Sequence, residues 1–237
     1  MENILLFHIP LTYYFIILTL LLIKIPIISK FFKVINTAVH ELGHAIVSLL
    51  LSGKVQKIEL FSNSEGVTVT HCSRTWKAFF VSLAGYPFAS AASYFCFYLL
   101  SKGFEKELII GFVVLFVLML LLWIRNLYGF FWVIFFSGGN IALLYYVANP
   151  KILFLVALFY VTVLFTESLF SSLVILHLSF RTPQQAGDAS NLRNYTHIPA
   201  WFWGVLFAAS SCYMTCKTVI HFPIFFSTLN PQFFFYK

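Results

Sequence analysis

The chain alternates between long apolar runs and short polar breaks. Near residues 4–28 the run is interrupted by few polar residues, His8, Thr12 and Lys24 among them, with Pro10 and Pro26 towards its ends. A second run, 34–51, is apolar except for Asn36, Thr37, His40, Glu41, His44 and Ser48, and stops at Gly53. Further runs cover 78–100, 108–124, 127–147, 152–180 and 200–220. Each is close to the 20 or so residues a helix needs to cross a bilayer. The pattern predicts about six or seven transmembrane helices. Gly138-Gly139 and Thr166-Glu167-Ser168 are candidate breaks within two of these runs. The first run lacks a basic front and a small-residue cleavage site, so it reads as a retained helix.

One segment has a different period. Between residues 54 and 77, Ile58 and Leu60 alternate with charges, and Val67 and Val69 alternate with threonines. Asn63-Ser64-Glu65-Gly66 lies between them as a turn signal, so the segment reads as a β-hairpin. A second polar segment, 181–199, precedes the last run. The expected architecture is an all-α polytopic membrane protein, a single integral-membrane domain over 1–237 with a small β insert.

Composition agrees. Of 237 residues, 60% are hydrophobic and 10% charged, against the roughly 25% charged of a soluble domain. There is too little polar surface to cover a water-soluble globule. The net charge of +7 comes from 15 Lys and Arg spread along the chain, a pattern of membrane flanks and not of a nucleic-acid groove. The four Cys do not suggest a disulfide framework in so long and apolar a chain. Lys and Arg counted on alternate sides nearly tie, so they do not set an orientation.

The chemistry lies in the second run, as His40-Glu41-Leu42-Gly43-His44. Residues four apart share one helical face. Two imidazoles there can bind one Zn²⁺, with Glu41 beside it as general base for a water. Random placement gives about 0.006 such matches in a chain of this content. Ionisable groups inside a membrane are costly, which makes them functional candidates.

A catalytic zinc takes a third protein ligand. Glu2, Glu59, Glu65, Glu105 and Glu107 fall at the terminus or in polar connections, leaving Glu167 and Asp188, the single Asp. His71, His177 and His197 are the nitrogen alternatives. Gly85, Ala89 and Ser93 form a small-xxx-small stripe suited to helix packing, with room for substrate as a further role. Cys212 and Cys216 read as buried apolar residues, and Asn126 and Asn140 as interhelical hydrogen-bonding groups.

The runs VHELGHAIVSLLLSGKVQKIEL, EGVTVTH and LAGYPFAS, with the late GDASNLRNYTHIPAWFWGVLF, resemble the site-2-protease class of intramembrane zinc metallopeptidases. The compact M50B-like branch is the nearest in form. The resemblance implies that His40 and His44 are ligands, Glu41 the base and Asp188 the third ligand. It departs at Asp188, which is followed by Ala189 where family members carry Asp-Gly within a membrane helix. Asp188 is therefore expected in a loop or at the start of the last helix.

The function expected is zinc-dependent hydrolysis of peptide bonds within or next to the membrane, on a membrane-spanning or membrane-adjacent protein. The hairpin edge near residues 67–70 would support an extended substrate. The rival readings are a membrane zinc hydrolase of lipid-like substrates and a non-catalytic membrane binding protein.

Overall fold

The computed structural model describes residues 11–22, 25–147 and 149–226. Its elements are α1 (Leu11–Leu22), α2 (Pro26–Leu50), β1 (Lys54–Leu60), β2 (Gly66–His71), α3 (Thr75–Ser101) and α4 (Glu105–Leu122). They continue with α5 (Leu127–Tyr146), α6 (Pro150–Arg181), α7 (Gly187–Thr196), α8 (Ala200–His221) and the short α9 (Pro223–Phe226). The fold is all-α with a two-stranded antiparallel hairpin. Helix is the economical state for such runs, because it satisfies every backbone hydrogen bond within the segment.

α3, α5 and α6 are long and apolar enough to cross a membrane by length and composition. α2 (25 residues), α4 (18) and α8 (22) have the length, about 27 Å or more at 1.5 Å per residue. α2 carries Lys30, Lys33 and the His-Glu motif, and α4 opens on Glu105-Lys106-Glu107. Outward-facing side chains include Leu50, Leu121, Phe135 and Ile220, a surface that water would not tolerate over so many helices. The chain is a multi-pass integral membrane protein.

The first predicted span is corrected. It divides into α1 and α2, because Ile25 is extended (φ −93°, ψ 107°) and Pro26 starts a new helix. Proline is preorganised for the first helical position, where its missing N–H costs nothing. α2 thus begins eight residues before the expected Val34. Glu2, His8, Pro10 and Lys24 lie outside the described residues. The two candidate breaks do not break: α5 runs through Gly138-Gly139 and α6 through Thr166-Glu167-Ser168. In α6 the hydroxyls of Thr162, Thr166 and Ser168 bond to carbonyls three or four residues back, which hides their polarity inside the helix. Cys212 and Cys216 are exposed on α8, not buried.

The hairpin is braced from two sides. Asn126, just before α5, donates Nδ2–H to the Leu60 carbonyl at 2.5 Å and accepts the Leu60 N–H at 3.1 Å. Ile58 N–H donates to the Trp123 carbonyl, and Arg125 N–H to the Ile58 carbonyl. Residues 123–126 thus cover the outer edge of β1. On the other side, Thr37 of α2 donates its hydroxyl hydrogen to the Ser64 carbonyl in the turn at 2.8 Å. Beneath lies a core rich in aromatic side chains, with Phe97, Phe116 and Phe136 fully buried between α3, α4, α5 and α6.

Candidate metal centre

α2 brings His40 and His44 to one face a turn apart, as their spacing requires. Their Nε2 atoms are 3.1 Å apart. His44 donates Nδ1–H to the Val81 carbonyl of α3 at 2.6 Å, since a carbonyl can only accept. That bond leaves the lone pair of a neutral His44 on Nε2, pointing at His40.

Asp188 completes the group from the far end of the chain. It sits in the first turn of α7, a separate short helix, and neither in a loop nor on the last helix. Gly187 precedes it at φ +50°, a left-handed conformation that favours glycine. Ala186, Ala189 and Leu192 are fully buried against Tyr86, Trp203 and Phe207, which presses α7 onto α3 and α8. Ser190 fastens the turn, accepting the Ala186 N–H and donating to the Pro183 carbonyl, each at 2.8 Å. Asp188 Oδ2 lies 3.3 Å from His40 Nε2 and 3.2 Å from His44 Nε2.

These three atoms form a nearly equilateral triangle. Ligands at about 2.0–2.1 Å from a tetrahedral zinc stand about 3.3 Å apart. Two imidazole nitrogens and one carboxylate oxygen are also the donor types zinc favours. The residues present therefore fit a metal ion of that kind. Among the described residues they form the one cluster of three potential ligands. Glu167 is paired instead with Lys33, at 3.6 Å. His71, His177 and His197 are exposed and outside the cluster.

Glu41 is buried beside the triangle, and the hairpin orients it. Thr68 of β2 donates to Glu41 Oε2 at 2.7 Å. Gly66 faces the other oxygen: a Cβ there would fall 2.5 Å from Glu41 Oε1. Gly85 of α3 plays the matching part under the imidazoles. A Cβ at Gly85 would collide with the His40 ring and stand 2.7 Å from His44 Nε2. Tyr86 packs edge-on against His40, ring centres 4.4 Å apart. His40, Glu41, His44, Asp188, Gly66, Thr68 and Tyr86 all line one cavity of about 680 Å³, to which the hairpin and α3 both contribute.

Sequence reasoning did not single out Thr68, the Val81 carbonyl or Gly66. Only the alternation of the hairpin hinted at Thr68, and nothing in a sequence marks a backbone carbonyl. Gly85 stood in the small-residue stripe, assigned first to packing. A glycine inside a long helix is itself a signal of close approach.

Fold and centre together define a multi-pass membrane protein built round a buried His-Glu-x-x-His helix. The chain belongs to the Peptidase M50B-like family, whose model matches residues 12–218. At the level of that family it is an intramembrane metallopeptidase. No curated protein and no solved structure matches it.

Proposed function

We propose that the protein is a zinc metallopeptidase that hydrolyses peptide bonds of membrane-spanning or membrane-adjacent proteins. His40, His44 and Asp188 hold the ion, and Glu41 is the general base. The observation that carries this reading is the convergence of three donor atoms, all within 4.8 Å of one another, beside a buried carboxylate in a single cavity. Bound Zn²⁺ supplies Lewis acidity, which makes water nucleophilic at neutral pH.

The chain's own groups account for the proton path. Thr68 donates to Glu41 Oε2, which leaves Oε1, packed beside Gly66, as the oxygen assigned to the water proton. From Oε1 the proton passes to the leaving amine. His44 is held by Val81 with its Nε2 lone pair towards the ligand triangle. Tyr86 packs on His40 and limits its rotation.

A peptide is favoured over a lipid by the edge of β2. Ile58 turns its backbone N–H and carbonyl away from β2, towards residues 123 and 125. Its antiparallel partner Thr68 must likewise turn its own away from β1, along the outer edge of β2, a strand whose residues line the cavity. An extended substrate segment can pair with that edge.

The test uses the full chain in lipid nanodiscs. It should bind one zinc per chain and cleave a transmembrane peptide, and Glu41→Gln should keep the zinc while losing about 10²–10⁴-fold in rate. Undiminished cleavage by Glu41→Gln would overturn the reading, as would protein that takes up no zinc.

A further inference from the structure

The cavity extends well beyond the ligand triangle. α2 turns Asn36, His40 and His44 into it, and α6 turns Glu167, Ser171 and Ile175. Two contacts join these helices like rungs. Lys33 Nζ lies 3.6 Å from Glu167 Oε2, and Asn36 Nδ2 donates to Ser171 Oγ at 3.4 Å.

Each rung has an atom left over. Glu167 Oε1 and Asn36 Oδ1 are buried and have no hydrogen-bond partner in the protein. Both residues are only 6% exposed, and both line the cavity. Leaving two acceptors unpaired in a membrane interior is costly. The Lys33 ammonium stands beyond hydrogen-bonding distance of Glu167, so it has N–H groups to donate. Two buried acceptors without partners, beside a cation with N–H groups to spare, are more than an ion pair kept only for stability requires.

We propose that this cluster is a substrate subsite for a carboxamide side chain, Asn or Gln, lying two or three residues from the scissile bond. It rests on the peptidase reading above. A carboxamide offers two N–H donors and one carbonyl acceptor, the complement of Glu167 Oε1, Asn36 Oδ1 and Lys33 Nζ. A hydroxyl offers one donor only. A substrate carboxylate would face two acceptors, and a substrate cation would sit against Lys33.

The position follows from helix geometry. Asn36 and Lys33 precede His40 by four and seven residues, about 6 and 10.5 Å along the axis. An extended peptide advances about 3.3 Å per residue, so these distances span two or three residues.

The experiment uses the full chain, zinc-loaded in nanodiscs. Asn, Gln, Leu, Glu and Lys are placed in turn at each position flanking the cleavage point of a transmembrane peptide. Asn or Gln at one position, two or three residues from the cut, should raise kcat/KM at least about tenfold over Leu. Glu and Lys there should do no better than Leu. The same preference should appear in the Kd of uncleaved Gln and Leu peptides for Glu41→Gln. In Asn36→Leu and in Glu167→Leu the Gln-to-Leu ratio should fall towards one. That ratio is taken within one protein, so a smaller folded fraction cancels out.

A flat scan in the unaltered protein would overturn the subsite and leave the peptidase intact, and needs no variant. So would a Lys preference, or a ratio that persists in both variants. Failure to cleave any peptide would overturn both readings together.

Discussion

Thr68 donates its hydroxyl hydrogen to Glu41 Oε2 at 2.7 Å, and also lies 3.2 Å from the Glu41 carbonyl. A residue of the hairpin thus sets the orientation of the carboxylate on the motif helix. Thr68→Val keeps the shape and removes the donor. Hydrolysis should fall about 10–100-fold, as for other loss of a supporting partner, with zinc content unchanged. Parallel rate and metal measurements check this, and loss of zinc would show that Thr68 supports the ligands instead.

Gly85 predicts a sharper failure. The Cβ of Gly85→Ala would enter the space of the two imidazoles. Zinc and activity should be lost together, in folded protein. Gly138→Ala is the control, because nothing lies within 4 Å of a Cβ there. Metal analysis of the two variants should separate them completely.

The ligand triangle itself is tested by metal affinity. His44→Ala and Asp188→Ala should each weaken zinc binding by more than the roughly 10–100-fold typical of a supporting residue. Glu167→Ala leaves the triangle untouched and should keep stoichiometric zinc. Competition with a chelator gives the order. Full zinc in Asp188→Ala would return the third ligand to an open question.

The edge of β2 makes a prediction about the substrate. Val69 turns its N–H towards β1, so proline there would disturb the hairpin and not its free edge. N-methylation of the substrate peptide tests the edge without altering the protein. Methyl groups at alternate residues should slow cleavage at least about tenfold, while those between should have little effect. Equal tolerance at every position would exclude strand pairing.

Much of this protein was legible in its sequence. The apolar runs fixed an α-helical membrane architecture, because helices alone let such segments bury their backbone. The alternating segment marked the hairpin. His40, Glu41 and His44 shared a face by spacing alone, since one turn of helix is a local property. Helix ends were less legible: Pro26 starts α2 eight residues before the apolar run at Val34 suggested.

Only the tertiary structure decided what stands around that face. Residue type alone left both Glu167 and Asp188 open as the third ligand, and only the family resemblance favoured Asp188. The packing of α7 on α3 and α8 brings Asp188 to the imidazoles, while α6 turns Glu167 to Lys33. Thr68, Gly66, Gly85 and the Val81 carbonyl acquire their parts in the same way. They meet the motif across long stretches of chain, and contacts of that kind depend on how helices pack, which no short pattern of residues encodes.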